Sequence, residues 1–110
     1  MNIKKEKIGD FSVLKIKGRV DTIHSSALEG EVNQVFDSGE KNLIFNCSGM
    51  DYISSSGLRV FLVTQKKVIP LKGKLYLSNM QPAIQEIFRI SGFSNLFRIF
   101  DTQEEALENQ

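Results

Sequence analysis

The junction between a strand-like run and a helical pattern in the middle of the chain constrains the fold more than any other feature. The apolar run Leu43–Cys47 leads toward it, a helical pattern over 55–68 leaves it, and Ser54, Ser55, Ser56 and Gly57 lie at the join. A serine at such a place caps the helix by accepting a backbone N–H bond. The same turn is the positive end of the helix dipole and favours an anion. An exposed serine there could carry a phosphate, which would change the local charge.

Hydrophobic patterns along the rest of the chain predict the element order β-β-α-β-α-β-α-β-α. The predicted strands are Ile3–Ile8, Phe11–Lys17, Leu43–Cys47, Lys74–Ser78 and Phe97–Phe100. The predicted helices begin near Ser26, Ser55, Pro82 and Thr102. This alternation is typical of a mostly parallel sheet with packed helices. We therefore predict one α/β domain over residues 1–110, with four to five strands, an antiparallel N-terminal strand and about four helices.

Local signals predict how several elements begin and end. Gly9 and Asp10 join the first two strands as a tight hairpin turn, and the lysines of the first strand suit an exposed edge. Gly18 is expected to end the second strand, and Ser26 with Glu29 matches a capping box for the first helix. Leu28, Val32, Val35 and Phe36 form one apolar face of that helix, and Leu58, Phe61, Leu62 and Ile69 form the predicted buried stripe of the second.

Composition and charge exclude several classes of function. The formal net charge of +1 gives no global attraction to nucleic acid or to an anionic membrane. Cys47 is the single cysteine, which excludes an internal disulfide and a multi-cysteine zinc site. No apolar run approaches the ~20 residues of a membrane span, and the N-terminus is charged. We expect a cytoplasmic protein that needs neither a cofactor nor a metal.

The residues required for an enzyme are incomplete. A serine-hydrolase elbow needs Gly-x-Ser-x-Gly, but Ile53 occupies the first glycine position before Ser55. His24 is the only histidine, and it is expected at a loop edge rather than beside a nucleophile. The glycine-rich motifs that bind phosphates or dinucleotides are also missing. We predict that the chain is not an enzyme.

The spacing alone is compatible with two interpretations of the serine cluster, helix capping and a modification site. One serine before a helix serves as a cap, and serine clusters are common in loops. Three serines exceed what one cap needs, so a modification site is about as well supported. Arg59 lies four residues after Ser55 and could pair with a phosphate there, or it could be a solvated side chain.

Three segments of the chain resemble a known family. The segment NLIFNCSGMDYISSSGLRVFL, residues 42–62, resembles the central strand-loop-helix of STAS domains, specifically the bacterial anti-sigma factor antagonists. GRVDTIHSSALEGEV, residues 18–32, is similar to the family's Gly-x-(Leu/Ile/Val)-Asp turn and first helix. Residues 73–107 resemble its last strands and helices, including the closing Glu-Glu-Ala-Leu. The likeness covers nearly the whole chain.

The resemblance implies a partner switch. In this family the unphosphorylated domain binds an anti-sigma factor, a serine kinase of the histidine-kinase ATPase type, and thereby frees a sigma factor. The kinase phosphorylates a serine at the start of the second helix, and a serine phosphatase resets the cycle. The usual motif is Asp-Ser-(Ser/Thr/Ala)-Gly-Leu, which places Ser55 at the phosphorylated position, with Ser54 and Ser56 as alternatives. Ser54 stands where the family usually has aspartate.

The resemblance also implies where the partner binds. The expected contact residues are Asp21, Thr22, Ser54, Ser56, Gly57, Leu58 and Arg59. No nucleic acid or membrane partner is expected, and the chain is expected to be a monomer or weak dimer. The alternative function is that of an unphosphorylated STAS adaptor in a transport or lipid-handling complex, where the same helical face would be a permanent docking surface.

Overall fold

The computed structural model describes residues 1–109 and contains one five-stranded sheet in the order β1-β2-β3-β4-β5. The strands are β1 (Asn2–Ile8), β2 (Phe11–Val20), β3 (Asn42–Ile53), β4 (Lys74–Ser78) and β5 (Arg98–Phe100). The helices are α1 (Ser25–Asp37), α2 (Ser55–Val68), α3 (Pro82–Ile90) and α4 (Gln103–Glu108), with a short 3-10 turn at Phe93–Asn95. The β1–β2 pair is antiparallel and the other pairs are parallel. The predicted fold class and element order are confirmed.

The two faces of the sheet are covered unequally. Helices α1, α2 and α3 pack on one face, where Leu28, Phe61 and Phe88 belong to one buried cluster. The other face has a smaller cluster, in which Ala106 of the short α4 packs with the side chains Phe11, Val13, Ile44 and Tyr76. We call this second face the open face. Since side chains alternate along a strand, each strand contributes to both clusters.

The N-terminal hairpin forms as the sequence predicts. Gly9 has φ +58°, which suits a two-residue turn, and Ile8 pairs with Phe11 across it. The lysine-rich strand β1 lies at the edge of the sheet. Charged residues on an edge strand oppose pairing with other chains.

The predicted ends of β2 and β3 were wrong. Strand β2 does not end at Gly18 but continues to Val20, and β3 runs past Cys47 to Ile53. Gly18 has φ +94°, and the register between β2 and β3 shifts just after it. A glycine at such a position marks a bulge inside a strand rather than its end. The longer pairing brings the end of β2 directly beside the serine junction.

The predicted capping box of α1 was also wrong. The helix begins at Ser25, and the Oδ1 atom of Asp21 accepts a bond of 2.9 Å from the backbone N–H of His24. The Ser25 hydroxyl donates to the carbonyl of Thr22 at 3.0 Å. The loop that leaves β2 therefore supplies the polar contacts at this helix start. The side chains of Ser26 and Glu29 are therefore not needed to cap the helix.

Helix α2 has the predicted bounds but a different buried side. Phe61 is buried as predicted, whereas Leu62 is only partly buried and Ile69 is 66% exposed beyond the last helical residue. The other buried positions are Gly57, Val60, Thr64 and Val68. Gly57 packs directly on the sheet, and this contact sets the rotation of the helix. Thr64 is compatible with burial because its hydroxyl donates to the carbonyl of Val60.

Signals near the C-terminus are confirmed. Pro82 lies in the first turn of α3, and Gly92 beyond its end has φ +79°. Thr102 caps α4 by accepting a bond from the backbone N–H of Glu105 at 3.1 Å.

Cys47 is fully buried, as expected. Among residues 1–109, no helix combines the length and apolar character needed to cross a bilayer.

Candidate functional site

The ends of β2 and β3 bring together the two groups of predicted contact residues, Asp21 with Thr22 and those of the segment 54–59. Val20 pairs with Ile53, and the backbone N–H of Ser54 donates to the carbonyl of Val20 at 2.8 Å. Asp21, which follows Val20, therefore begins the β2–α1 loop beside the start of α2. The carboxyl ends of parallel strands are the usual place for binding residues in α/β folds.

Ser54 is the capping residue of α2. Its backbone is extended, with φ −85° and ψ 171°, and its Oγ atom accepts a bond of 3.1 Å from the backbone N–H of Gly57. Its carbonyl accepts the first helical bond from Leu58 at 2.9 Å. The residue is only 8% exposed. The Ser54 hydroxyl thus stabilises the turn and points into the fold.

Gly57 allows the first turn of α2 to approach the sheet closely. A β-carbon at this position would lie 2.8 Å from side-chain atoms of both Val20 and Ile53, and 3.0 Å from the carbonyl oxygen of Val20. These distances are too short for any real side chain. Glycine is therefore required here because the helix backbone lies so close to Val20 and Ile53. This contact fixes the distance between the first turn of α2 and the strands.

Ser55, Ser56 and Arg59 lie at the surface of the same turn, in different surroundings. Ser55 is exposed, whereas Ser56 is partly buried. Ser56 and Arg59 line a shallow depression between the starts of α1 and α2, together with Ser26 and Glu29 of α1. Arg59 is exposed and makes no ion pair within residues 1–109. Backbone N–H groups in a first turn lack helical acceptors, so an anion at Ser55 would meet a favourable field.

The β2–α1 loop is held by Asp21 and His24. Besides accepting the His24 backbone N–H bond, Asp21 Oδ1 lies 2.8 Å from His24 Nδ1. The backbone hydrogen bond from His24 is the main reason why the pKa of Asp21 is below its ordinary value. Thr22 and Ile23, between them, are exposed, and Ile23 is 80% exposed. The pair therefore presents a fixed loop with an apolar tip.

The predicted contact residues differ in how accessible they are to a partner. Leu58 is partly buried and packs against the main core cluster, so only part of its side chain is available. Asp21 and Ser56 are also partly buried, whereas Thr22 and Arg59 are exposed. The predicted contact residues thus follow the neighbouring ends of β2 and β3, but some of them are exposed and others are covered.

Sequence reasoning missed an aromatic and a cation beside this turn. The guanidinium of Arg19 lies 4.1 Å from the ring centre of Tyr52. Arg19 and Tyr52 are neighbours in the β2–β3 register, immediately before the Val20–Ile53 pair. The expectation that β2 ends at Gly18 concealed this pairing. Both residues are exposed, with Tyr52 at 37%.

The chemistry of the site is that of an accessible hydroxyl at a helix start. No group of three or more His, Cys, Asp or Glu residues within 1–109 is arranged to hold a metal ion. His24 is engaged with Asp21 through its Nδ1 atom. The turn can present the Ser55 hydroxyl to another protein and can accommodate negative charge on it.

Sequence comparison identifies relatives along nearly the full length of the chain. The sequence profile of the STAS domain matches residues 2–106. The protein named "Putative anti-sigma factor antagonist BtrV" from Bordetella bronchiseptica is 33% identical over 106 residues, which cover 96% of this chain and 91% of the relative.

Structure comparison gives the same fold. An anti-sigma factor antagonist from Mycobacterium paratuberculosis superposes with a TM-score of 0.88 at 22% identity, covering 97% of this chain and 91% of the other. The anti-sigma factor antagonist SpoIIAA in its unphosphorylated form superposes with a TM-score of 0.77 at 19% identity, covering 97% and 96%. The phosphorylated form of Bacillus SpoIIAA gives 0.76 at 20% identity, covering 97% of each chain.

Proposed function

This chain belongs to the STAS domain family, and from that membership we propose that it is a phosphorylation-controlled anti-sigma factor antagonist. Its unphosphorylated form binds an anti-sigma factor, a serine kinase of the histidine-kinase ATPase type, and so releases a sigma factor. That kinase phosphorylates Ser55, the complex separates, and a serine phosphatase restores the first state. The protein itself catalyses no reaction in this cycle.

The unequal exposure of the three serines carries this proposal. Ser54 is buried and used as the cap, and Ser56 is partly buried toward α1, whereas Ser55 is exposed in the first turn of α2. A kinase needs to reach the hydroxyl that it modifies, so accessibility favours Ser55. The existence of SpoIIAA in unphosphorylated and phosphorylated forms supports a similar modification here.

Phosphorylation releases the partner by a local change of charge. A phosphate adds about −1.5 to −2 charge at neutral pH and needs strong hydration. The N-terminus of α2 accommodates this charge without refolding of the domain. Repulsion and the cost of desolvating the phosphate then weaken the docked surface. Amide NMR shifts of the two forms should differ around residues 54–59 and in the β2–α1 loop, and changes throughout the sheet would contradict this mechanism.

The experiment combines phosphate mapping with binding. The protein is incubated with ATP and a candidate anti-sigma factor kinase from the same organism, and mass spectrometry locates the phosphoserine. Ser55→Ala should abolish labelling but preserve the complex, and Ser55→Asp should weaken the complex. Ser91→Ala is the matched control, because Ser91 is an exposed serine at the end of α3 and does not line the depression beside Ser56 and Arg59.

Two results would overturn the proposal. If both Ser55 variants bind the kinase like the wild type, Ser55 does not control the complex. If the protein binds but no serine is labelled, the permanent adaptor function replaces the switch.

A further inference from the structure

The open face of the sheet has a row of cationic side chains beyond the area that α4 covers. Along β2, Leu14, Ile16 and Val20 point into the main cluster, so the alternate residues Lys15, Lys17 and Arg19 point to the open face. All three are exposed. Lys4 of β1 lies directly across from Lys15. We call these four residues, Lys4, Lys15, Lys17 and Arg19, the basic stripe.

Folding alone does not account for this arrangement. Like charges that lie directly opposite on paired strands destabilise a sheet, and Lys4 and Lys15 are such a pair. The lysines of β1 that point the other way are compensated, because Lys5 pairs with Glu31 at 2.9 Å and Lys7 pairs with Glu40. No residue of the basic stripe makes an ion pair within the described part of the chain, 1–109.

The stripe borders a groove that has no acidic lining. The groove has a volume of about 180 Å³, and Lys4, Lys15 and Lys17 lie along it with Ser48 and the backbone of Gly49. A β-carbon on Gly49 would be 2.9 Å from Cγ of Lys17, so the Lys17 stem lies against the Gly49 backbone. The lining of the groove thus combines three lysines, the Ser48 hydroxyl and the accessible backbone of β3 at Gly49.

The stripe continues to the Ser55 turn. Arg19 stacks on Tyr52, and the next register pair, Val20 with Ile53, immediately precedes Ser54. Three carboxylates lie near its ends. Glu6 is opposite Val13, at the end that α4 covers, and Asp51 is exposed beside Tyr52. Asp21, two residues after Arg19, accepts a backbone bond from His24 and also interacts with the Arg19 charge. None of the three lines the groove beside Lys4, Lys15 and Lys17.

We propose that the basic stripe is a second contact site for the protein that binds the Ser55 turn, and that it takes an acidic, extended segment of that protein. This inference rests on the proposed function for the identity of the partner. The segment lies along β2, with its carboxylates toward Lys15 and Lys17 and its end at the Arg19–Tyr52 stack. Charge complementarity of this kind accelerates association more than it slows dissociation.

The first experiment measures binding kinetics with the anti-sigma factor at several salt concentrations. Lys15→Gln with Lys17→Gln should lower the association rate constant about tenfold at low ionic strength, flatten its salt dependence, and leave the dissociation rate within about twofold. The control is Lys41→Gln with Lys66→Gln, which removes the same charge from exposed positions outside the stripe and should leave both rates near wild type. Equal effects of the two double variants would overturn the stripe as a site.

The second experiment does not need the anti-sigma factor. A synthetic peptide of about twelve alternating Asp and Glu residues is titrated into the protein while amide NMR shifts are followed. Shifts concentrated at Lys4, Lys15, Lys17 and Gly49, and lost in the stripe variant only, support the site. Shifts spread over lysines on all faces overturn it.

The two experiments separate the inference from the proposed function. If the anti-sigma factor does not bind the wild type while the peptide binds the stripe, the proposed function and the identity of the partner fail but the acidic preference stands. If the wild type self-associates at low salt and the stripe variant does not, the occupant is a second copy, and the assignment to a different protein is wrong. Analytical ultracentrifugation distinguishes this outcome.

Discussion

Gly57 lies so close to Val20 that a β-carbon on Gly57 would be 2.8 Å from Cγ1 of Val20. Because Val20 is the last residue of β2 and Gly57 is in the first turn of α2, this contact joins the two regions that form the candidate site. The accessible position of Ser55 depends on this close approach. Substitutions in the turn and in the neighbouring β2–α1 loop test the contacts that hold both in place.

Gly57→Ala should destabilise the domain. The added methyl group would collide with Val20 and Ile53, and overpacking of this kind lowers the free energy of unfolding by about 1–3 kcal/mol. Gly30→Ala is the matched control, because Gly30 is an exposed helical glycine with open space around it. It should raise the free energy of unfolding by roughly 0.5–1 kcal/mol. Urea denaturation measures both, and equal stability of the two variants would contradict the packing argument.

Ser54→Ala should lower the free energy of unfolding by about 1 kcal/mol, because the backbone N–H of Gly57 loses its cap. Ser54→Asp should lower the free energy of unfolding less than Ser54→Ala, because a carboxylate can accept the same backbone bond and is favoured by the helix dipole, although its burial costs hydration. Ser55→Ala, one residue on, removes an exposed hydroxyl and should stay within about 0.5 kcal/mol of wild type. Thermal unfolding would contradict this assignment if Ser55→Ala were the more damaging change.

Asp21 should make stability depend on pH in the acid range. Its pKa in the folded protein is lowered, first by the backbone hydrogen bond from His24, so its contribution is fully present above about pH 4 and is lost as pH falls below that value. Asp21→Asn should reduce the difference between urea midpoints at pH 6 and pH 3. His24→Ala should retain most of that difference, because the backbone N–H remains. Loss of the difference in His24→Ala would show that the side-chain pair dominates.

Cys47 should be unreactive in the folded protein. The side chain is fully buried, and burial raises the pKa of its thiol to about 12, so the reactive thiolate is scarce at neutral pH. Iodoacetamide should label it slowly under native conditions and rapidly in denaturant, as mass spectrometry can follow. Rapid labelling of the native protein would mean that β3 opens frequently at this position.

Local signals predicted much of the fold correctly. The Gly9-Asp10 turn, the start of α2 at Ser55, the Pro82 helix start and the Thr102 cap all form as expected. Each of these depends on interactions within a few residues of the chain. Turn and cap chemistry is therefore readable from sequence without knowledge of the packing.

Signals that depend on distant partners were misleading. Gly18 suggested the end of a strand, but pairing of Arg19 with Tyr52 continues both strands past it. The buried side of α2 was placed toward Ile69, which is exposed, because the contact of Gly57 with the sheet sets the rotation of the helix. Periodicity indicates that a helix has an apolar side, but contacts with the neighbouring strands determine which residues of the helix are buried.

The order of the elements, the helix start at Ser55 and the cluster of three serines before Gly57 follow from residue types and spacing alone. Which of the serines is accessible depends on packing, because the inward position of Ser54 and the partial cover of Ser56 are set by β2 and α1. The exposure of a side chain depends on the residues packed around it, and those residues are far apart in the sequence.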